Sequence, residues 1–156
     1  MLDLSTISSI VTCVSVVIGV IFALMELRHL TRTRKTEIIM SVYERFSEKE
    51  YVEAMSRVST AGKFESLEDY SKKYGLTEAI MIANVYEGLG VLLEQNLIDI
   101  KMVNSLFGPM LNSLWEKKLQ PVVYALREFM HQPFFLSNSE YLIKRLNNYR
   151  KEAPKT

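Results

Sequence analysis

Cysteine, histidine, glycine and proline are all scarce in this chain of 156 residues, and each shortage excludes something. The single cysteine, Cys13, rules out an intrachain disulfide and fits a reducing compartment. The two histidines, His29 and His131, stand far apart, and no HExxH, CxxC or EF-hand loop occurs, so neither a metal nor a cofactor is expected. Gly88-x-Gly90 falls within an apolar helical stretch rather than between a strand and a helix, so it is no dinucleotide fingerprint. Six glycines and four prolines in a chain that is 48% hydrophobic favour an ordered fold without low-complexity linkers. No stretch alternates with period two between turn signals, so strands are not expected.

The most informative absence is that of charge from residues 4–25. A helix of that length reaches about 33 Å, enough for a hydrocarbon core of about 30 Å. A cleaved signal peptide would carry its positive charge ahead of a shorter apolar run, whereas here Asp3 precedes the run and Arg28, Arg32, Arg34 and Lys35 follow it. The positive-inside bias then predicts a single-pass protein of an inner or cytoplasmic membrane, with the N-terminus outside and the C-terminal body in the cytoplasm. The formal net charge is +1 and the basic cluster accounts for it. A near-neutral body argues against general nucleic-acid binding, which depends on neutralising phosphates.

Between Gly19 and Gly62 there is neither glycine nor proline, so the anchor (residues 1–27) should continue as a basic juxtamembrane helical stalk (28–46). A cytosolic helical domain is expected over 47–152, followed by a frayed tail at 153–156. The capping-box spacing of Ser47 with Glu50 predicts one helix start, ending near Gly62, and Ser66 with Asp69 predicts another, closed by Gly75. Thr77 is expected to cap a long apolar helix to about Asn96, and Asp99 a short one that stops before Gly108-Pro109. A helical stretch from Met110 to about Met130 should kink or restart at Pro121, and Ser137 with Glu140 opens the last helix. The fold class is all-α: one transmembrane helix continuing into a bundle of about five or six helices.

The membrane helix carries Ser8, Thr12, Ser15, Gly19 and Ala23 at three- and four-residue spacing. Small residues on one face let a second helix approach closely, and hydroxyls there can bond across the interface. The bland alternative is that those hydroxyls bond to their own helix. Arg28, Arg32 and Lys35, with Arg34 beside them, fix topology and can face lipid headgroups. Glu87 and Arg127 lie in apolar stretches where a charge is seldom buried without a partner, which predicts an ion pair between them. Phe134 and Phe135 follow Pro133 in a helix connection, either tucked into the core or forming a docking patch.

The order of these features, with Asn84-Val85-Tyr86-Glu87-Gly88-Leu89-Gly90, Asn96-Leu97-Ile98-Asp99, Trp115, Pro121-Val122-Val123 and Arg127, resembles an uncharacterised family of small prokaryotic membrane-anchored helical proteins known only as a domain of unknown function. The resemblance implies a helical cytosolic domain on a single anchor and supplies no activity. With no catalytic constellation to build on, the chain is expected not to be an enzyme. It reads as an accessory or scaffolding subunit partnered by the bilayer and by another membrane protein or itself. The alternative is a sensor or effector whose bundle binds a small ligand and signals through a homo-oligomeric membrane helix. Exposed apolar surface on the bundle would favour the first, and a polar concave pocket with Arg and Tyr the second.

Overall fold

An uninterrupted run of helix-compatible residues produces one long α-helix, α1 (Leu4–Ser47), in the computed structural model, which describes residues 3–152. The expected frayed tail at 153–156 lies outside the described residues. The chain divides into two units between Glu37 and Ile38. In the first, an 18-residue window within α1 has a mean hydropathy of 2.5 and none of it is buried, so its apolar side chains have no protein to pack against. Val11, Val14, Ile18 and Phe22 are all about half exposed or more, which suits a lipid surround.

The second unit takes the last turns of α1 from Ile38 and adds α2 (Lys49–Thr60), α3 (Leu67–Tyr74), α4 (Leu76–Glu94), α5 (Ile100–Leu114), a π-helical turn (Trp115–Leu119), α6 (Gln120–Met130) and α7 (Ser137–Glu152). No strand occurs among the described residues. α4 is the hub, with α7, α2 and α3 packed around it. It is long and apolar enough to cross a membrane, but Ala79, Ile82, Ala83, Tyr86, Leu89, Gly90 and Leu93 are buried, so it is the core helix of the bundle. Residues 38–46 of the expected stalk belong to this unit as well. Ile39 is fully buried, and the Phe46 ring stacks on Phe107 at 4.5 Å.

Several helix ends follow the sequence signals. Ser66 Oγ accepts from the Asp69 amide at 3.1 Å, Gly75 ends α3 at φ 86°, and Asp99 accepts from the Lys101 amide at 3.2 Å. Others differ. The Ser47 hydroxyl donates to the Tyr43 carbonyl inside α1, so the capping box is not formed, and the break before α2 falls at Glu48. Gly75 precedes α4 directly, which places Thr77 within the helix rather than at its cap. The expected stop at Gly108-Pro109 is absent and α5 runs through both. Proline removes only one donor from a helix that packing against α7 sustains. The extra residue of the π turn then brings Trp115 and Leu119 together into the core, at 2% and 1% exposure. Pro121 sits in the first turn of α6, where its missing N–H costs nothing.

Three tyrosines make the core sensitive to alkali. Tyr51, Tyr70 and Tyr86 are each at most 2% exposed. Burial pushes all three phenols up, Tyr70 to about 12 with help from the nearby Glu78 charge, and the other two further still. Unfolded phenols ionise near pH 10, so above about pH 10 the unfolded chain holds fewer protons than the folded one and stability falls as pH rises. The loss approaches about 1.4 kcal/mol per pH unit for each tyrosine. Trp115 fluorescence should therefore report cooperative unfolding between about pH 10 and 12. The Tyr51 hydroxyl has no hydrogen-bond partner among the described residues, so Tyr51→Phe should move that midpoint upward. An unmoved midpoint would contradict the burial of this phenol.

Candidate functional site

In the membrane helix, Ser8, Thr12, Ser15, Gly19 and Ala23 fall within an arc of about 80° at 3.6 residues per turn. A Cβ added at Gly19 would meet nothing within 4 Å, so the face is open. Two of its three hydroxyls are already engaged: Thr12 Oγ1 donates to the Ser8 carbonyl and Ser15 Oγ to the Val11 carbonyl, both at 2.9 Å. The face therefore offers close approach more than unmet hydrogen-bonding capacity. Beyond it, Arg28, Arg32, Arg34 and Lys35 make no ion pair among the described residues. Unpaired cations at the end of an apolar span are free to meet anionic headgroups.

The expected Glu87–Arg127 ion pair is not formed. Arg127 Nη1 bonds Glu140 Oε1 at 3.0 Å, and its Nε donates to the Phe135 carbonyl at 2.8 Å. Glu87 accepts from Asn138 Nδ2 and the Ser139 amide, both at 2.8 Å, and from Ser139 Oγ at 3.1 Å. The physical reason is the start of α7. Its first amides lack intrahelical acceptors and its N-terminal dipole favours an anion, so a carboxylate on α4 is better placed there than against a guanidinium. Gly90, one turn on, admits the Asn138 backbone into close contact, whereas Gly88 faces open space and is exposed. The two charges thus act separately, Glu87 on the first turn of α7 and Arg127 on Glu140 and on the Phe135 carbonyl in the connection before it.

The connection between α6 and α7 carries the aromatic residues in question. α6 ends in a Schellman arrangement, with His131 at φ 53°, the His131 amide on the Glu128 carbonyl at 3.3 Å and the Gln132 amide on the Arg127 carbonyl at 3.0 Å. Phe135 is partly buried against the core, so it is not part of an exposed patch. Phe134 is 81% exposed and Phe129 is 75% exposed. Periodicity assigns Phe129 to the core, because it continues the buried stripe of Val122 and Leu126 on α6. Its exposure shows that none of the described residues covers this face at the end of α6, which periodicity alone cannot reveal.

A second feature, missed from sequence, lies between α6 and α7. Gln120, Tyr124, Arg127 and His131 recur along one stripe of α6, and Glu140, Lys144, Asn147 and Lys151 along one stripe of α7. Between them is an open groove of about 470 Å³, with Trp115 and Tyr124 in its lining, and beside it, against the end of α6 and Pro133, a second open hollow of about 550 Å³ lined by Tyr124, Arg127 and His131. The Arg127 guanidinium lies 5.3 Å from the Tyr124 ring centroid, and its Nη2 is buried without a hydrogen-bond partner among the described residues. The spacing of the two polar stripes was visible in sequence, but their juxtaposition was not.

Two smaller hollows are less distinctive. One, of about 240 Å³, has Met55, Leu114, Lys117 and Lys118 in its wall, and Lys118 also caps α2 by donating to the Ala61 carbonyl. The other, of about 350 Å³, lies beside the Arg57–Glu78 ion pair. Among the described residues, no three His, Cys, Asp or Glu side chains come together as a metal site. No curated protein and no solved structure matches this chain. Residues 13–146, from within the span well into α7, match the family model described as Domain of unknown function (DUF4760), and the chain belongs to that family.

Proposed function

We propose that this is a non-catalytic, membrane-anchored accessory subunit that works by associating with another integral membrane protein. One observation carries the reading. Phe129 continues the core stripe of α6 yet is 75% exposed, and Phe134, 81% exposed, follows on a connection that Arg127 holds at the Phe135 carbonyl and that leads into the α7 turn held by Glu87. Large aromatics presented on a fixed turn are suited to filling a partner's pocket. The open small-residue face of the span supports association within the bilayer, and the cations after it support a cytoplasmic body with the N-terminus outside. Phe129→Ser and Phe134→Ser remove apolar groups that the chain itself does not cover, so both variants should fold. The double variant should lose a stoichiometric membrane partner on purification in mild detergent. Retention of that partner would sink the docking role of this turn.

A second reading is favoured by the α6–α7 cavities: the bundle is a sensor that binds a small ligand and signals through self-associating membrane helices. Two adjoining hollows share Tyr124, one adding Arg127 and the other Gln120, Asn147 and Asn148, and such polar groups can orient a small polar ligand.

A further inference from the structure

We propose that the cleft between α6 and α7 binds a small phosphorylated ligand carrying a flat ring, the chemistry of a nucleoside monophosphate. The inference rests on the second reading above and names its ligand class.

The charge of the 470 Å³ groove is decided by one ion pair. Glu140 is its only acid, and Arg127 neutralises it at 3.0 Å. Lys144 and Lys151 line the same cavity and make no ion pair among the described residues. They lie seven residues apart on one face of α7, so both ammonium groups are available to an anion entering between the helices. Glu128 stands by the adjoining cavity rather than this one.

The same cavity has an aromatic wall. Tyr124 borders both hollows and is 44% exposed, while Arg127 borders only the neighbouring one. The half-exposed tyrosine ring thus borders the lysine-lined side as well as the side of the guanidinium. Trp115, locked by stacking on Tyr86 at 6.0 Å between centroids, contributes to the lining beneath it. Gln120, Asn147 and Asn148 supply carboxamides at the edge, and the Asn147 oxygen is already held by Asn112, which fixes that side chain's orientation. A stacking surface, oriented amides and two unpaired lysines match a ring, its polar edge and a phosphate in turn. The groove is open to solvent and its volume of about 470 Å³ leaves room for a ligand of this size lying partly exposed.

Trp115 is the chain's only tryptophan and lines the cavity, so its emission is a direct reporter. Full-length protein in mild detergent would be titrated with AMP, GMP, CMP and inorganic phosphate, with calorimetry in parallel. Saturable change with at least one nucleoside monophosphate is expected, and inorganic phosphate should bind more weakly because it cannot stack. Lys144→Ala with Lys151→Ala should weaken binding by about tenfold or more. Tyr124→Ala should weaken it by about fivefold or more, and Tyr124→Phe should restore it. No saturation with any nucleotide, or equal affinity in the double-lysine variant, overturns the ligand assignment. The sensor reading fails on a different measurement. Nucleotide binding that leaves the oligomer mass unchanged in detergent would keep the site and discard the signalling.

Discussion

Alanine at position 90 is expected to destabilise the bundle, whereas alanine at position 88 is expected to stabilise it. Both glycines lie on α4, two residues apart, and helix propensity alone favours alanine at each by about 1 kcal/mol. At Gly88 a Cβ would meet nothing within 4 Å, so the propensity gain should be realised. At Gly90 it would lie 2.9 Å from Asn138 Cβ and closer still to the Asn138 carbonyl. The obstacle is backbone, so relief requires α7 to move away from the helix it packs against most extensively. Overpacking of this kind costs about 1–3 kcal/mol, and here the upper end applies because no side chain can simply rotate away. A melt followed by Trp115 fluorescence should fall by roughly 5–15 °C for Gly90→Ala. Equal melting of the two variants would contradict the close α4–α7 approach.

Glu87→Ala should be comparably damaging. Its carboxylate receives three hydrogen bonds from the first turn of α7, two of them at 2.8 Å. Removing it leaves the Ser139 amide without an acceptor at a position where Ser139 is fully buried. Hydrogen bonds to a charged acceptor contribute about 1.5–3 kcal/mol, and the bonds share one group, so a total loss of about 2–4 kcal/mol is expected. Glu87→Gln, which keeps an acceptor but loses the charge, should fall between the two. The double-mutant cycle separates this arrangement from a Glu87–Arg127 ion pair. Arg127 should couple to Glu140 by about 0.5–3 kcal/mol, with the larger direct coupling there rather than at Glu87. A strong Arg127–Glu87 coupling with none to Glu140 would restore the ion pair.

The sequence was most legible where one residue type decides the outcome locally. A charge-free run long enough to span a bilayer needs no tertiary context, and Ser66, Asp99 and Gly75 act on amides within their own turn. Legibility failed where a distant element overrides a local signal. Gly108-Pro109 reads as a stop, yet packing carries α5 through it. Glu87 reads as the partner of the nearest buried cation in the apolar stretches, yet the N-terminus of α7 provides a better one. Phe129 reads as core, because periodicity reports which face is apolar and not whether anything covers it. The α6–α7 cleft was hidden for a related reason: its two polar stripes look like ordinary solvated faces until the helices are placed side by side.

Association is the central property proposed for this protein, and the mass of the purified protein in mild detergent measures it. A complex well above the 18.0 kDa chain, reduced by Gly19→Leu in the span or by Phe129→Ser with Phe134→Ser on the turn, is the expected result. A monomer indifferent to all three substitutions would contradict it.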